Sequence, residues 1–302
     1  MIDIIIIGAG TAGLTAAVYA CRSGKTVTVF ESENIGGQIA NSPRVENFPS
    51  IKSISGSEFA NNLMEQAMEL GANIELEKVL RVTKGQFFTV TTEYGKYEAK
   101  TVIIATGVKH RQLGLPREEE LLGHGISYCA VCDGPFFKGE EVALIGDANS
   151  ALQYALLLAN YCLKVYLYTL FDRFFGEDSL VKQVRERSNI EIRHNLSLKS
   201  FVGSDELEGL VFENTLTKEL VNLNVKGVFI AIGQIPDNQL FSDLVELDHQ
   251  GYIITNNDCE TNVTGLFAAG DCRKKTIRQL TTAVSDGAIA AIKAVNYIDN
   301  LN

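Results

Sequence analysis

The chain has 302 residues, of which 46% are hydrophobic and 26 are glycine, and this is enough for two domains with a core each. Its formal net charge of −10 argues against nonspecific binding to nucleic acid or to an anionic membrane surface. The N-terminal apolar run is too short for a signal sequence or a membrane span, so we expect a cytoplasmic protein with no membrane partner.

The first predicted element is an apolar strand that runs into a glycine turn and then into a helix. Gly8, Gly10 and Gly13 give the pattern G-x-G-x-x-G, in which the glycines make the turn, admit a pyrophosphate and allow close packing of the helix. Glu31 ends the next strand, where a carboxylate accepts ribose hydroxyls and repels a 2′-phosphate. The pattern therefore indicates FAD or NAD, and the alternative is a glycine-rich turn without a ligand.

A pair of cysteines follows in the segment SYCAVCDG. Cys129 and Cys132 are separated by two residues and can close a small disulfide, and the neighbouring Asp133 can move the proton that thiolate chemistry requires. A zinc half-site is the alternative, but no second pair at ligand spacing is available to complete it. The other cysteines include Cys21 and Cys162, which lie in apolar helix patterns and are interpreted as core residues.

The strand–turn–helix–strand pattern of the N-terminus occurs a second time, with Gly146 matching Gly8. The C-terminal segment GLFAAGDC resembles the first half of the chain in its sequence pattern. We therefore predict an α/β protein with two Rossmann-like, three-layer dinucleotide-binding domains, the second inserted into the first. The first domain would comprise residues 1–113 and 243–302, and the inserted one residues 114–242.

The second glycine turn departs from the pattern at the positions that would touch a nucleotide. Ala148 replaces the middle glycine, Asp147 adds negative charge beside it, and Thr169 stands where the first half has Glu31. No base follows at once to hold a 2′-phosphate. We expect the inserted domain to keep its fold without a nucleotide, and the alternative is a variant site that still binds one weakly.

Several motifs together resemble the low-molecular-weight thioredoxin reductases along essentially the whole chain: GAGTAG, GGQ, VENFP, IIATG, CAVCDG, IGQIPDN, GLFAAGD and the pair RQ. The resemblance implies a homodimeric flavoprotein enzyme, an oxidoreductase whose first domain holds FAD and whose inserted domain carries the redox-active disulfide. It also implies that FAD is surrounded by Gly8, Gly10, Thr11, Ala12, Gly13, Glu31, Gly37, Gln38, Asn47, Ala105, Thr106, Gly107, Gly270, Asp271, Arg278 and Gln279.

The resemblance also implies which cysteine faces the flavin and which electron donor reduces it. In this family Cys132 would lie nearer the flavin and Cys129 would face thioredoxin, with Asp133 as the acid. The altered second turn is similar to that of the ferredoxin-dependent flavin thioredoxin reductases, which lack the NADPH motifs. We expect electrons to pass from reduced ferredoxin through FAD and the disulfide to thioredoxin. The alternatives are an NADPH- or NADH-dependent thioredoxin reductase with an atypical nucleotide site and an FAD-binding redox sensor without turnover.

Four basic residues follow Asp271: Arg273, Lys274, Lys275 and Arg278. On an acidic chain, such a cluster near the flavin is a candidate docking patch for an acidic ferredoxin. A solvated loop with no partner is an equal alternative.

Overall fold

The computed structural model describes residues 1–42 and 44–301 and divides the chain into two compact units. Unit 1 comprises Met1–Lys109 and Ile235–Asn302, and unit 2 comprises His110–Gln234. The chain thus leaves unit 1 once and returns to it. These limits precede the predicted crossings, at 113 and 243, by four and eight residues. Among the described residues, no helix is long and apolar enough to cross a membrane.

The elements of the first segment are, in chain order, β1 (Ile2–Ile7), α1 (Thr11–Arg22), β2 (Val27–Phe30), α2 (Gly56–Glu69), β3 (Asn73–Glu75), β4 (Val79–Lys84), β5 (Phe88–Thr92), β6 (Lys96–Ile104) and β7 (Val108–His110). The middle segment contains β8 (Ile126–Ser127), α3 (Ala130–Asp133), β9 (Glu141–Ile145), α4 (Asn149–Leu158), β10 (Lys164–Tyr168), α5 (Asp178–Glu186), β11 (Ile190–Arg193), β12 (Leu196–Val202), β13 (Gly209–Asn214), β14 (Leu220–Leu223), β15 (Gly227–Ile230) and β16 (Gln234–Pro236). The last segment contains β17 (Leu266–Ala268) and α6 (Leu280–Asp299). Short 3-10 turns cover Gly37–Asn41, Gly134–Phe137, Gln239–Phe241 and Gly270–Cys272.

Unit 1 is built on one sheet with the strand order β3-β2-β1-β6-β5-β4, and β17 also pairs with β6. The strands β1, β2, β3, β6 and β17 are parallel, whereas β5 and β4 return antiparallel. Along β1, Ile4 and Ile6 pack in the core that contains α1 and α6, while Ile5 and Ile7 pack on the opposite face. A strand with both faces buried reads as a continuous apolar run, which explains the sequence IDIIII.

Unit 2 repeats this plan with a parallel sheet in the order β11-β10-β9-β15-β8 and a separate antiparallel sheet of β12, β13 and β14. Val142 and Leu144 of β9 pack with the residues of α4, and Ala143 and Ile145 pack with those of the antiparallel sheet. The parallel sheet therefore lies between a helical layer and a second sheet. The predicted fold class, two Rossmann-like domains, is confirmed.

Candidate functional site

The first glycine turn joins β1 to α1 at the carboxyl edge of the sheet in unit 1. Gly8 has a φ of +108°, and a Cβ there would overlap the carbonyl oxygen of Ala105. A Cβ at Gly13 would overlap the carbonyl oxygen of Gly8. These two glycines are therefore required by the backbone itself, since any side chain would push α1 away from the sheet.

Gly10 differs from both because its own surroundings are open. It caps the N-terminus of α1 with φ −73° and ψ −178°, which any residue can adopt, and no heavy atom of the described chain lies within 4 Å of the position of a Cβ. The free space lies at a helix N-terminus, where backbone N–H groups favour a phosphate. A side chain at Gly10 would fill the space that a pyrophosphate needs, so the turn fits FAD.

Glu31 follows β2 directly, and backbone N–H groups hold its carboxylate. Ala9 donates to Oε2 at 2.8 Å, and Ser32 and Glu33 donate to Oε1 at 2.8 and 2.9 Å. A carboxylate oxygen has about two acceptor positions, so Oε2 keeps one for a ribose hydroxyl. The geometry thus fixes an acceptor beside the turn before any ligand binds.

Three other predicted FAD segments meet this turn. A Cβ at Gly37 would lie 3.3 Å from Cα of Gly10, and a Cβ at Gly270 would lie 2.8 Å from Cβ of Ala12. The carbonyl of Ala105 lies against Gly8, as described above. The segments GGQ, IIATG and GLFAAGD, far apart in sequence, therefore converge on GAGTAG.

The remaining predicted FAD residues also lie in unit 1. The amide of Gln38 donates to the carbonyl of Val108 at 3.3 Å, and the amide of Asn47 donates to Oε1 of Gln279 at 3.4 Å. Gly107 has a φ of +68° and open space at its Cβ position. Thr11 is buried in the first turn of α1. Which of these side chains contact FAD remains a prediction.

Asn238 is a residue whose role the sequence did not indicate. It is 1% exposed; its Oδ1 accepts from the hydroxyl of Thr106 at 3.1 Å, and its Nδ2 donates to the carbonyls of Gly251 and Cys272 at 2.9 and 2.8 Å. The side chain thereby fixes Thr106, a predicted FAD residue, to two distant loops. The signal was present in IGQIPDN, a motif that supported the resemblance without giving Asn238 a task.

The basic cluster after Asp271 is largely engaged in internal contacts. Nζ of Lys275 lies 3.0 Å from Asp271 and 3.1 Å from Asp286, and Nε of Arg273 lies 3.5 Å from Asp286. The guanidinium of Arg278 stacks on the ring of Tyr252 at 4.1 Å.

Lys274 is the exposed member of the cluster, and its ammonium group makes no ion pair with the residues that the structure describes. Two of the four basic residues, Arg273 and Lys275, are therefore paired with acids of unit 1, and the docking patch stays a prediction that rests chiefly on Lys274.

The cysteine pair lies in unit 2 and is joined as a disulfide. Cys129 caps the short helix α3, and its Sγ accepts from the backbone N–H of Cys132 at 3.2 Å. Asp133 ends the helix. Burial raises the pKa of Asp133, and a hydrogen bond from Ser127 at 2.6 Å opposes that rise. The predicted acid is thus a desolvated carboxyl directly after the second cysteine, which suits proton transfer.

The second glycine turn joins β9 to α4 and keeps only part of the first pattern. Gly146 has a φ of +154°, and a Cβ there would lie 2.5 Å from the carbonyl oxygen of Ala231, so the backbone again requires glycine. Ala148 caps α4 with its methyl group exposed. The carboxyl of Asp147 is partly desolvated, and burial raises its pKa. At this helix N-terminus, a phosphate would meet a methyl group and a poorly screened carboxyl.

Thr169, which matches Glu31, is fully buried. Its hydroxyl donates to the carbonyl of Phe171 at 2.7 Å and lies 2.7 Å from Nδ1 of His194. The hydroxyl of Thr169 is therefore engaged in hydrogen bonds within the protein and offers no acceptor to a ribose. The next residues, Leu170 and Phe171, have side chains that are about half exposed. Binding of a 2′-phosphate would require basic residues at these positions.

Comparisons with known proteins identify the family. A family model described as "Pyridine nucleotide-disulphide oxidoreductase" matches residues 2–287. A "34.2 kDa protein in rubredoxin operon" of Clostridium pasteurianum is 41% identical over 301 residues, covering 98% of this chain and 97% of that protein. A thioredoxin reductase of Treponema pallidum is 40% identical over 301 residues, covering 99% and 98%.

Among solved structures, the thioredoxin reductase of Streptococcus pyogenes superposes with a TM-score of 0.96 at 37% identity, covering 99% of each chain. The match spans both units, including both glycine turns and the cysteine pair. Proteins of this kind are FAD-binding flavoproteins, so the predicted cofactor is confirmed. The chain therefore belongs to the pyridine nucleotide-disulphide oxidoreductases and, within them, to the thioredoxin reductase family.

Proposed function

We propose that the protein reduces the disulfide of thioredoxin with electrons that reach its FAD from reduced ferredoxin. The cysteine pair supports the output half of this proposal: a thiolate formed from Cys129 or Cys132 attacks a disulfide, and the mixed disulfide is resolved by the other cysteine. By resemblance, Cys129 faces thioredoxin and Cys132 faces the flavin. The relatives named as thioredoxin reductases support the same substrate.

The single observation that carries the choice of donor is the second glycine turn. Asp147 and Ala148 lie at the N-terminal cap of α4, which matches the cap at Gly10 in the first turn, and the hydroxyl of Thr169 is engaged in internal hydrogen bonds. A nucleotide phosphate there would lie beside the carboxyl of Asp147, and a 2′-phosphate would find no basic residue directly after Thr169, which is costly. Electrons from a protein donor need no such site, and a bound flavin can collect single electrons and deliver them in pairs.

The residues of unit 1 hold the flavin in this proposal. The N-terminus of α1 and the open space at Gly10 take the pyrophosphate, and Oε2 of Glu31 takes a ribose hydroxyl. The segments that converge on the turn surround the rest of the cofactor. The proposal also includes a homodimer in the cytoplasm, as the family resemblance implies.

Two alternatives remain. The description of the matching family, "Pyridine nucleotide-disulphide oxidoreductase", favours a nicotinamide-dependent thioredoxin reductase with an atypical site, and such an enzyme would bleach its flavin with NADPH or NADH. A redox sensor would bind FAD without turning over thioredoxin, and the disulfide beside a desolvated acid argues against it.

An anaerobic titration of the flavin with NADPH, NADH and reduced ferredoxin tests the proposal. We expect ferredoxin alone to bleach the flavin, and subsequent addition of oxidised thioredoxin to restore its colour. Bleaching by a nicotinamide nucleotide at the rate of turnover would contradict the ferredoxin proposal and favour the first alternative.

A further inference from the structure

Ser127 occupies a bridging position between the two ends of the Cys-x-x-Cys segment. It ends β8 and is 3% exposed. Its Oγ accepts from the backbone N–H of Cys129 at 3.0 Å and donates to Oδ2 of Asp133 at 2.6 Å. One hydroxyl group thus contacts the residue that begins the redox segment and the acid that ends it.

The direction of these hydrogen bonds determines where the proton of Asp133 is held. The hydroxyl of Ser127 has one hydrogen, and the short contact to Oδ2 of Asp133 uses it. Oδ1 of Asp133 is buried and has no hydrogen-bond partner among the described residues. When the carboxyl is protonated, Oδ1 is therefore the atom that carries a transferable proton.

We propose that Ser127 is a positioning residue that fixes Asp133 beside the Cys129–Cys132 disulfide and keeps Oδ1 free to exchange a proton with the cysteines. This inference rests on the proposed function, since it describes proton transfer in the same disulfide reaction. Ser127 itself exchanges no proton with sulfur.

The proton transfer is consistent with the number of electrons and protons that reduction of the disulfide requires. Reduction breaks the S–S bond between Cys129 and Cys132 and needs two electrons and two protons. When bound and reduced, FAD would supply both electrons and one proton, and Oδ1 of Asp133 supplies the other proton to a departing sulfur. Asp133 takes a proton back from the thiol that later attacks thioredoxin, so the carboxyl is ready for the next cycle.

Two tyrosines near Asp133 do not account for the titration of this carboxyl. Tyr154 of α4 interacts electrostatically with Asp133, and burial raises its pKa. Tyr161 donates to the carbonyl of Ala130 in α3, and burial raises its pKa to about 12. Both phenols therefore stay neutral over the pH range in which the carboxyl of Asp133 titrates.

The test uses the full-length, flavin-loaded protein and the variant Ser127→Ala. The cysteine pair is reduced anaerobically with excess dithiothreitol, the reductant is removed, and the alkylation rate by iodoacetamide is measured against pH. Without the donated hydrogen bond the ionised Asp133 is less stable, so its inflection should move to higher pH. Thioredoxin turnover should fall on the order of tenfold, as for a misplaced acid.

Three further variants separate positioning from general damage. Ser127→Thr retains a hydroxyl and should restore the wild-type profile, whereas Ser127→Gly gives a second hydroxyl-free chain if the alanine variant does not fold. Tyr166→Phe is the matched control, because it removes another hydroxyl-to-carboxylate bond in unit 2, the 2.8 Å contact with Glu141. It should leave the profile unchanged.

The double variant Ser127→Ala with Asp133→Asn decides whether Ser127 acts through Asp133. It should match Asp133→Asn alone in both alkylation profile and turnover. Superimposed wild-type and Ser127→Ala profiles would overturn the inference. Alkylation does not depend on the electron donor, so this failure is distinct from failure of the ferredoxin proposal.

Discussion

The two glycine turns separate what the fold requires from what a ligand requires. Gly8 and Gly146 both have positive φ and both lie against a backbone carbonyl, of Ala105 in one unit and Ala231 in the other. At the helix cap the turns diverge, since Gly10 leaves open space and Ala148 places a methyl group there. The position that the backbone requires is therefore common to both units, whereas the position that would touch a nucleotide differs between them.

The strand that follows each turn shows the same difference. Glu31 receives three backbone N–H groups and still offers an acceptor on Oε2, whereas Thr169 directs its hydroxyl inward to Phe171 and His194. One position is arranged toward a ligand and the other toward the protein interior. The predictions below test this contrast, beginning with the largest effect.

Removal of either redox sulfur should have the largest effect. We expect Cys129→Ser and Cys132→Ser each to reduce thioredoxin turnover to background, because the exchange needs both sulfurs. FAD should remain bound, since the turn that fits it lies in unit 1. Cys21→Ser, at a partly buried free cysteine, is the control and should retain turnover. Turnover by both active-site variants would show that the reducing equivalents take another route.

A valine at each helix cap compares the two turns directly. Gly10→Val should lower the flavin content per chain at least roughly tenfold, because the side chain fills the pyrophosphate position while the backbone angles tolerate it. Ala148→Val, at the matching cap, should leave flavin content unchanged. Visible absorbance measures the flavin, and thermal melting shows whether each chain folds. Full flavin occupancy in Gly10→Val would show that the pyrophosphate does not bind at this turn.

The start of the first strand offers a comparison of stability. Burial alone would raise the pKa of Asp3, but hydrogen bonds from Lys100 and Thr26 outweigh it and lower the pKa to about 2. A carboxyl with a depressed folded pKa stabilises the fold above its unfolded value, near 3.8, and loses that contribution as the pH falls through about 2. Asp3→Asn should therefore cost roughly 2 kcal/mol of unfolding free energy at neutral pH.

The matched control for Asp3 lies at the start of the equivalent strand in unit 2. Glu141 accepts a hydrogen bond from the hydroxyl of Tyr166 at 2.8 Å, and Glu141→Gln retains an acceptor for that bond. Its cost should be below about 1 kcal/mol. Denaturant unfolding at pH 7 and pH 3 measures both variants, and an Asp3→Asn cost that does not shrink at pH 3 would contradict the ionic explanation.

A smaller effect is expected at the surface of the basic cluster. Lys274→Glu should slow flavin reduction by ferredoxin a few-fold at low ionic strength, in line with the roughly 0.2–1 kcal/mol of an exposed charge pair. Lys275 is unsuitable for this test because its reversal would leave carboxylates without their ion pair. Lys96→Glu, at another exposed lysine of unit 1, is the control. Equal rates for the wild type and Lys274→Glu would favour the loop without a partner.

The strands and helices could be predicted from local sequence patterns, whereas contacts between residues far apart in the sequence could not. The strand–turn–helix units around Gly8 and Gly146 are encoded within short segments, so periodicity and glycine spacing were sufficient to find them. Asn238 can position Thr106 only because the tertiary fold brings the two side chains into hydrogen-bond contact. Lys275 ceases to be a surface charge because Asp286, on α6, lies beside it. Such pairings depend on the tertiary fold, which spacing along the chain does not reveal.

Repair of the second turn should have the smallest effect. Asp147→Gly together with Ala148→Gly would restore the first two glycines of the pattern, with Ala151 still in the place of Gly13, and would remove both the charge and the methyl group from the cap of α4. We nevertheless expect no measurable flavin reduction by NADPH or NADH. The adenosine end still meets Thr169, which is buried and hydrogen-bonded to Phe171 and His194, and a charged residue placed there would itself be desolvated. Anaerobic stopped-flow absorbance at saturating nucleotide measures the rate, with the wild-type chain alongside. Rapid bleaching in the repaired chain alone would show that the turn is the whole defect, and rapid, stoichiometric bleaching in the wild type would show that unit 2 still functions as a nicotinamide site.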